Sequence, residues 1–439
     1  MFVPELLSPA GTLKNLRYAF AYGADAVYAG QPRYSLRVRN NDFNLAHLRE
    51  GIEIARQQGK RLYVASNIAP HNAKLKTYLT DMEPVIEMQP DALIMSDPGL
   101  IMMVRERWPE QPIHLSVQMN TLNWAAVKFW QQQGIERVIL SRELSLEEVA
   151  EIRERVPEME LEVFVHGALC IAYSGRCLLS GYINHRDPNQ GTCTNACRWQ
   201  YQAHAATEDE KGELIPLQQV QQWQPSDAEP AGYLLQEATR PGEYMPAYED
   251  EHGTYIMNSK DLRAVQHVPE FVRMGIHSLK IEGRTKSHYY VARTAQVYRQ
   301  AIDDAVAGKP FNRGLMDVLE NLANRGYTEG FYRRHVHDEY QNYLTGNSVG
   351  VHQQFVGEVL EADLSQGWLD IEVKNRFAVG DDLEFMTPAG NCRFRLQHLL
   401  DRNMQATQVA PGSGHRVRIY ADLPDTLPWQ YGLLMRQLR

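Results

Sequence analysis

The sequence has few of the features that mark membrane-bound or exported proteins. No run of about 18 consecutive apolar residues occurs in the 439-residue chain, so a membrane-spanning helix is not expected. The opening stretch MFVPELLSPAGTL has neither the basic region nor the apolar core of a secretory signal. A hydrophobic fraction of 44% and a charged fraction of 23% are ordinary for a globular protein. We therefore expect a cytoplasmic protein with no membrane partner.

Familiar catalytic signatures are absent as well. Neither the H-E-x-x-H motif of zinc proteases nor the G-x-x-x-x-G-K-[ST] phosphate loop occurs. The stretch GNSVG, residues 346–350, matches the serine-hydrolase pattern G-x-S-x-G, but an aromatic connector precedes it and a strand-rich region follows it. A nucleophile of that type needs a strand before it and a helix after it. We therefore interpret this match as accidental.

Positive charge is not in excess. The chain has 45 basic and 54 acidic residues, which give a formal net charge of −9. This balance argues against a protein that coats nucleic acid without selectivity, although a local basic patch is still compatible with RNA binding. The best patch in the first half contains Arg33, Arg37 and Arg39, for which a solvated loop is the alternative. Arg333 and Arg334 form a second basic group and complete the RNA-binding candidates.

Cysteine is scarce, but four of the five cysteines lie close together. Six residues separate Cys170 from Cys177, fifteen follow, and three separate Cys193 from Cys197. Disulfides are rare in the reducing cytosol, so this grouping indicates metal binding. Zinc favours paired knuckles, whereas iron–sulfur clusters accept irregular spacing, and the spacing leaves both metals open. Cys392 is expected to pack in a strand as a small apolar residue.

The order of predicted elements indicates a (β/α)8 barrel of the TIM type. Seven strand-like runs, from PELLSPA and DAVYAG to LEVFVHG, alternate with amphipathic helices over the first 170 residues. An eighth run, HSLKIEG, comes much later and precedes a long helical pattern. The cysteine segment is therefore an insertion before the last strand. A doubly wound open sheet is the alternative, but no G-x-G-x-x-G follows the first strand.

Five segments are predicted along the chain. Residues 1–200 contain barrel units one to seven and the cysteine segment, residues 201–253 an irregular insertion, residues 254–310 the last barrel strand and helix, residues 311–347 a connector, and residues 348–439 a small C-terminal β-barrel module. The last assignment depends on short strands such as QQFVGEVLEA and WLDIEVKN, which alternate with turns and no helix.

Polar residues recur where the predicted barrel strands end, which is where such barrels carry their active sites. One such residue alone is often a helix cap, as we expect for Asp97 and Ser145. Repetition around one rim favours a catalytic surface instead. The strand-end residues are Asn67, Ser96, Asp97, Ser116, Gln118, Asn120, Ser141, Arg142, Glu143, His166, Lys280, Glu282, Arg284 and Lys286, and six of them (Arg142, Glu143, His166, Lys280, Glu282 and Arg284) are the catalytic candidates.

His166 is the sharpest of these candidates because it comes four residues before Cys170 in the run HGALC. Its imidazole has three interpretations: a proton donor, a partner of the metal ligands, or a hydrogen-bonded core histidine. The cysteines follow the seventh strand, so the sequence predicts a metal centre at the barrel mouth. That location favours a working centre over a structural one.

Four long stretches carry a family resemblance. ELLSPAGTLKNLRYAFAYGADAVYAG, VFVHGALCIAYSGRCLLSGYINHRDPNQGTC, MNSKDL and SLKIEGRTKS are similar to motifs of the peptidase U32 family. The resemblance implies a 4Fe–4S cluster on Cys170, Cys177, Cys193 and Cys197. In its nearest branch it implies a tRNA hydroxylase that forms 5-hydroxyuridine at the wobble position, with prephenate or a product of it as co-substrate. The C-terminal module and the two arginine groups are then the candidate tRNA surface.

One position departs from the family pattern. Many members have a cysteine directly after the DL of MNSKDL, where this chain has Arg263. Where that cysteine is a ligand, this chain needs another, and Cys197 is the obvious substitute. Arg142, Arg284 and Lys286 are expected to bind the co-substrate's carboxylates or RNA phosphate. The rival interpretations are a U32-type peptidase and an RNA-binding protein stapled by zinc.

Overall fold

A computed structural model describes the chain over residues 2–31, 33–36, 42–169, 260–324, 326–333 and 353–438, together with the backbone of five short strands between 206 and 255. These residues contain a barrel of parallel strands and a C-terminal antiparallel sheet. None of the helices in these ranges is long and apolar enough to cross a membrane.

Strands and helices alternate through the first part of the barrel. Its first seven strands are β1 (Glu5–Pro9), β2 (Ala26–Gly30), β3 (Arg61–Ser66), β4 (Ala92–Met95), β5 (Ile113–Leu115), β6 (Arg137–Ile139) and β7 (Glu160–Ala168). The helices between them are α1 (Leu13–Ala21), α2 (Leu45–Gln57), α3 (Asn72–Glu87), α4 (Pro98–Arg107), α5 (Trp124–Gln132) and α6 (Leu146–Arg155).

A long excursion separates the seventh barrel strand from the eighth. Five short strands lie within it, where the sequence pattern indicates no regular element: β8 (Ala206–Glu208), β9 (Leu214–Pro216), β10 (Tyr233–Gln236), β11 (Tyr244–Asp250) and β12 (Gly253–Tyr255). The chain continues through β13 (Asp261–Arg263), α7 (Val268–Met274), β14 (Ser278–Ile281), α8 (His288–Val306), α9 (Gly314–Glu320) and β15 (Tyr327–Thr328). β13 pairs antiparallel with the end of β7, an addition to the barrel that the sequence does not predict.

The strand β14 closes the barrel. It pairs in parallel with β1, where Ser278 stands opposite Glu5, and in parallel with β7, where Leu279 stands opposite Val163. The strand order is therefore β14-β1-β2-β3-β4-β5-β6-β7 with both edges joined. The predicted (β/α)8 barrel is confirmed, and the open-sheet alternative is wrong. Closure brings all eight carboxyl ends to one face, so the polar strand ends share a rim.

Side-chain caps set where barrel helices begin. Asp97 accepts a hydrogen bond from the Leu100 amide at 2.9 Å at the start of α4. Ser145 forms a reciprocal capping box with Glu148 at the start of α6. A cap satisfies donors that the first helical turn leaves unpaired and typically contributes about 1 kcal/mol. Both residues are the caps predicted from the sequence, so they serve the helices.

Nine strands form the C-terminal module: β16 (Gln353–Asp363), β17 (Trp368–Val373), β18 (Phe377–Ala378), β19 (Asp382–Thr387), β20 (Gly390–Arg395), β21 (His398–Leu400), β22 (Val409–Ala410), β23 (Arg416–Tyr420) and β24 (Leu433–Gln437). Seven of them make one antiparallel sheet in the order β20-β19-β24-β16-β17-β23-β21, and β18 pairs with β22. The predicted separate β module is confirmed. Within residues 353–438, however, no pairing between β20 and β21 closes the sheet into the expected barrel.

The C-terminal module packs against α1 and α8 on the outside of the barrel. The Glu358 carboxylate accepts hydrogen bonds from Lys14 Nζ at 2.5 Å and from Tyr18 Oη at 2.8 Å. Arg293, which is 1% exposed, donates to Glu384 at 2.7 Å. Removing one member of such a pair leaves a buried charge without its partner, which is costly. These pairs therefore oppose other ways of docking the module.

Candidate functional site

The carboxyl ends of the strands surround a cleft at the barrel mouth, with a cavity volume of about 110 Å³. Its apolar wall includes Ile94, Ile139 and Phe164. The polar side chains that line it are Asn67, Ser116, Gln118, Arg142, Lys280, Glu282 and Arg284. These seven all belong to the strand-end residues predicted from the sequence. Barrel closure therefore gathers them into one site.

Arg142, which follows β6, is held on one side of the cleft by three contacts. Its Nη1 donates to the Ala168 carbonyl at 2.7 Å, and its Nη2 lies 3.1 Å from Glu282 Oε2. The guanidinium lies over the Phe164 ring, 3.8 Å from the ring centroid, as in a cation–π contact. Its buried Nε–H has no protein partner among the described residues. Arg142 is thus fixed in place with one donor unused.

Lys280 lies at the floor of the cleft. The side chain belongs to β14 and is almost fully buried, with Nζ 2.7 Å from Glu162 Oε1. The ammonium also lies over two aromatic rings, 4.4 Å from the Tyr28 centroid and 5.5 Å from the Phe164 centroid. Burial lowers the pKa of Lys280, and the Glu162 carboxylate only partly opposes this shift. The amine is therefore easier to deprotonate than an exposed lysine.

Arg284 completes a group of three cations at the cleft. It lies beyond β14, donates to Ser35 Oγ at 3.3 Å and to the Leu36 carbonyl, and is 6% exposed. Together with Arg142 and Lys280 it makes three cations, against the carboxylate of Glu282 in the lining and that of Glu162 beside Lys280. Charges of one sign in a recessed site attract ligands of the opposite sign. The cleft is therefore suited to an anion.

The remaining polar lining of the cleft consists of neutral hydrogen-bonding groups. Asn67 Nδ2 donates to Ser116 Oγ at 3.5 Å, and Ser116 Oγ donates to Gln118 Oε1 at 3.1 Å. Asn67 Oδ1 accepts from the Leu36 amide at 3.2 Å. Amides and hydroxyls of this kind fix the orientation of a small polar ligand. Together with the three cations, they fit a carboxylate that also carries a hydroxyl or carbonyl group.

Charged residues fill the barrel interior beneath the cleft, where branched apolar residues are usual. Glu5 Oε1 accepts from Arg137 Nη1 at 2.6 Å, and the same nitrogen lies 3.2 Å from Glu162 Oε2. Glu162 in turn accepts from Lys280. A chain of alternating charges therefore runs up to the cleft floor. The sequence interpretation missed it, although three charged residues within otherwise apolar strands are a visible signal.

His166 does not belong to the described cleft wall. Val165 is an extra residue in β7, and the register with β14 shifts at this point. The imidazole packs among Tyr290, Tyr298 and Tyr327, with ring centroids 5.8, 5.6 and 5.4 Å away. Burial lowers the pKa of His166 to about 3, so the ring is neutral at physiological pH. This setting favours the core-histidine interpretation over the proton donor.

Two other rim candidates also lie beside the cleft instead of in its wall. Glu143 accepts a hydrogen bond from Ser141 Oγ. Lys286 Nζ lies 5.4 Å from the centroid of the Tyr290 ring. Of the six catalytic candidates, Arg142, Lys280, Glu282 and Arg284 therefore meet in the cleft, whereas Glu143 and His166 do not.

The arginines predicted to bind RNA are only partly described. Arg33 is 53% exposed and pairs with Asp81 at 2.5 Å. Arg333 is 68% exposed and lies 3.3 Å from a Glu329 carboxylate oxygen. The other three members of the two groups, Arg37, Arg39 and Arg334, lie outside the described residues.

Arg263, which occupies the position of a cysteine in many relatives, lies close to His166. The two residues stand opposite each other where β13 pairs with β7. The Arg263 guanidinium pairs with Glu320 and lies 4.9 Å from the centroid of the Tyr327 ring. This side chain therefore has a structural partner of its own.

The four clustered cysteines, Cys170, Cys177, Cys193 and Cys197, lie outside the described residues. In sequence the first of them comes two residues after β7, which ends at the barrel rim. Four thiolates are the donor set of an iron–sulfur cluster or of a structural zinc site. Elsewhere, the described residues hold no group of three or more His, Cys, Asp or Glu placed to bind a metal. Cys392 is partly buried against the core of the C-terminal module, as expected.

Comparison with known proteins extends over the whole chain. The model of peptidase family U32 matches residues 11–342, and the model of the family's C-terminal domain matches residues 352–436. The chain is 64% identical to tRNA hydroxylation protein P of Escherichia coli (strain K12), over 99% of this chain and 97% of that protein. It is 61% identical to the protein of the same name from Haemophilus influenzae, over 100% of this chain and 97% of that protein.

A solved structure, that of the U32 peptidase Mk0906, covers 64% of this chain and 94% of its own, with a TM-score of 0.39 and 12% sequence identity. The two family matches follow the two structural units in chain order, with the barrel in the first and the antiparallel module in the second. The chain belongs to peptidase family U32.

Proposed function

We propose that this chain is a tRNA hydroxylase that forms 5-hydroxyuridine at the wobble position. The observation that carries this proposal is the identity of 64% and 61%, over nearly the full length, to two proteins named for tRNA hydroxylation. The reaction replaces the C5–H bond of uridine by C5–OH, which is an oxidation. The reaction therefore requires a redox-active centre and a site for a small-molecule co-substrate.

The cysteine segment is the proposed redox centre. Cys170, Cys177, Cys193 and Cys197 would hold a 4Fe–4S cluster, with Cys197 in place of the cysteine that Arg263 replaces. A bound cluster of this kind supplies one-electron redox chemistry. Arg142 supports this placement, because it binds the carbonyl of Ala168 at the end of β7, two residues before the first cysteine. Its positive charge would offset the negative charge of a thiolate cluster.

The cleft is the proposed site of a small carboxylate co-substrate, with prephenate as the candidate. Arg142, through its unused Nε–H, and Arg284 would bind its carboxylates, since a hydrogen bond from a guanidinium group to a carboxylate is charge-assisted and strong. Gln118, oriented through Ser116, would bind a hydroxyl or carbonyl oxygen on the other side. The Tyr28 and Phe164 rings beneath the cations reduce the access of water and strengthen these contacts.

The tRNA would contact the rim of the barrel and the C-terminal module. Arg33 and Arg333 are exposed, and each is held by one surface carboxylate that phosphate oxygens would replace. Such pairs contribute little in water, so exchanging their partner costs little. Arg37, Arg39 and Arg334, which lie outside the described residues, complete the RNA-binding candidates.

Nucleoside analysis of tRNA tests the proposal. In a strain that lacks this gene, we expect 5-hydroxyuridine and the nucleosides made from it to disappear, and the wild-type gene to restore them. The variant Arg142→Gln should restore at least about tenfold less, because it removes a buried charge–charge contact. Arg273→Gln is the control, because this side chain on α7 is 74% exposed, and it should restore the wild-type level.

The rival functions predict different results. A peptidase would leave the tRNA nucleosides unchanged in the deletion strain. A zinc-stapled RNA-binding protein would be colourless after anaerobic purification, whereas an iron–sulfur protein is brown and is bleached by dithionite. Unchanged 5-hydroxyuridine in the deletion strain contradicts the proposed activity, and a colourless zinc-containing protein contradicts the proposed centre.

A further inference from the structure

Lys280 differs in kind from the other two cations of the cleft. The arginines 142 and 284 already supply the permanent positive charge that an anion requires, and a guanidinium does not lose its proton in proteins. A lysine ammonium does lose it when burial removes water, and the neutral amine is a nucleophile. The question is therefore what a buried lysine adds to a site that is already cationic.

The surroundings of Lys280 favour a reactive amine. Its side chain is 4% exposed and lies over the faces of Tyr28 and Phe164. Burial lowers its pKa, and the neighbouring Arg284 acts in the same direction. The carboxylates of Glu162 and Glu282 oppose the shift without cancelling it. A desolvated lysine beside another cation is a recognised arrangement of amine nucleophiles.

Glu162 provides a fixed partner for the proton. Its carboxylate is completely buried and receives Lys280 Nζ on Oε1 at 2.7 Å and Arg137 Nη1 on Oε2 at 3.2 Å. Arg137 is held in turn by Glu5 at 2.6 Å. Because both oxygens are engaged, the carboxylate cannot turn away from the amine. A proton can therefore pass between Lys280 and Glu162 along one short hydrogen bond.

The two arginines define the class of compound that would meet this amine. A carboxylate bound by Arg142 and Arg284 lies in the same cleft as Lys280. If the carbon next to that carboxylate is a carbonyl, as in a 2-oxo acid, its electrophilic atom is brought close to the cleft floor. Holding two reactants together in this way is one of the larger contributions to enzymatic rates.

We propose that Lys280 forms a reversible imine with the carbonyl group of a 2-oxo acid bound in the cleft. The ammonium first gives one proton to Glu162, and the amine adds to the carbonyl carbon. The C–N bond forms as the C–O π bond opens, and the oxygen takes up the proton that the attacking nitrogen loses. Loss of water, with Glu162 returning its proton to the departing oxygen, gives the C=N bond. One lysine ammonium and one ketone yield one protonated imine and one water, and no atom changes its oxidation state overall.

Borohydride trapping with pyruvate, the simplest stable 2-oxo acid, tests this inference directly on the wild-type protein. Borohydride reduces an imine to a secondary amine that survives digestion, so peptide mass spectrometry locates it. We expect one reduced pyruvyl group per chain, on Lys280, at least tenfold above the labelling of Lys309. Lys309 is a control within the same chain, because its side chain is 62% exposed and lies outside the cleft.

Two further arms separate an imine from simple anion binding. The variant Lys280→Arg keeps the positive charge beside Glu162 and should lose the adduct. Malonate, a dicarboxylate without a carbonyl group, should reduce the trapping of pyruvate by competing for the arginines. Labelling confined to exposed lysines, or no labelling of the wild-type protein, overturns the inference without reference to any variant.

The inference rests on the proposed function only for its view that the cleft binds a carboxylate co-substrate. The imine and the hydroxylase activity can nevertheless be tested separately. A chain that restores 5-hydroxyuridine but gives no adduct at Lys280 removes the imine and leaves the hydroxylase. If the protein gives the adduct but deletion of its gene leaves the tRNA nucleosides unchanged, the imine is retained and the hydroxylase is rejected.

Discussion

At the scale of single residues, close packing around Tyr290 explains why two positions of the family motifs are glycine. A Cβ on Gly167, which has a φ of +107°, would lie 2.5 Å from the Glu282 carbonyl oxygen and 3.0 Å from Tyr290 Oη. A Cβ on Gly283 would lie 2.6 Å from Cε1 of the same tyrosine. Tyr290 Oη donates to the Glu282 carbonyl at 2.7 Å. The glycines of HGA and IEG therefore let one tyrosine pack against the backbone beside the cleft.

Gly167→Ala should lower the free energy of unfolding by about 3 kcal/mol, because it adds a backbone clash to an unfavourable φ. Urea denaturation measures this difference. Gly59→Ala is the matched control, since Gly59 also has a positive φ of +63° but nothing within 4 Å of its Cβ position. We expect the control to cost only about 1 kcal/mol, the backbone contribution alone. Equal losses in the two variants would contradict the clash between a Cβ at position 167 and the Glu282 backbone.

At the scale of elements, the centre of the C-terminal sheet depends on a strand for which the sequence gives only a weak signal. β24 lies between β19 and β16 and comes from the short run LLMRQ near the end of the chain. Leu433 and Leu434 in this strand are completely buried. The strands indicated by the sequence are longer or are followed closely by turns. The last strand is thus held by its two neighbours, which lie far away in the sequence.

Leu434→Ala should destabilise the C-terminal module by about 3 kcal/mol, since it removes buried methyl groups and leaves a cavity. The loss should appear as a lower midpoint for the unfolding of the module in urea, followed by hydrogen exchange of residues 353–438. Met404→Ala provides the comparison, because Met404 is 50% exposed, and a change below about 0.5 kcal/mol is expected there. An unchanged unfolding midpoint in Leu434→Ala would show that β24 does not stabilise the sheet.

At the scale of the whole molecule, buried ion pairs join the barrel to the C-terminal module. Burial by itself would raise the pKa of Glu358, but the hydrogen bonds from Lys14 and Tyr18 outweigh it and hold that pKa below the ordinary value of 4.5. At Glu384 burial would likewise raise the pKa, but the charge of Arg293 outweighs this effect and lowers it. Each carboxylate is therefore more acidic in the folded protein. The docking should weaken in acid.

The sign of the pH dependence follows from these directions. A carboxylate whose pKa is lower in the folded state stabilises the protein above the unfolded value of about 4.5, and this contribution is lost as the pH falls through the folded value. We expect the free energy of unfolding to fall as the pH drops below about 4.5. Glu358→Gln should lose about 2 kcal/mol at neutral pH, with a shallower acid slope, in urea titrations over this range. Glu361→Gln, exposed in the same strand, should match the wild type throughout; an unaltered slope in Glu358→Gln would contradict the docking role.

Much of the fold follows from local patterns in the sequence. Alternation of strand and helix periods predicts the barrel because both periods depend only on neighbouring residues. Caps such as Asp97 and Ser145 are equally local. The convergence of Arg142, Lys280 and Arg284 was also predictable, because a closed parallel barrel brings its carboxyl ends together whatever its other details.

The features that the sequence left undecided all depend on contacts between distant segments. One extra residue in β7, Val165, shifts the register and leaves His166 among tyrosines instead of in the cleft wall. The charge chain from Glu5 to Lys280 exists only because four strands face one another inside a closed barrel. By itself, the sequence determined the element order, the barrel and the cysteine grouping, because local periodicity and spacing encode them. Only the tertiary structure decided which side chains share the interior and how the module docks, because those pairings join residues up to hundreds of positions apart.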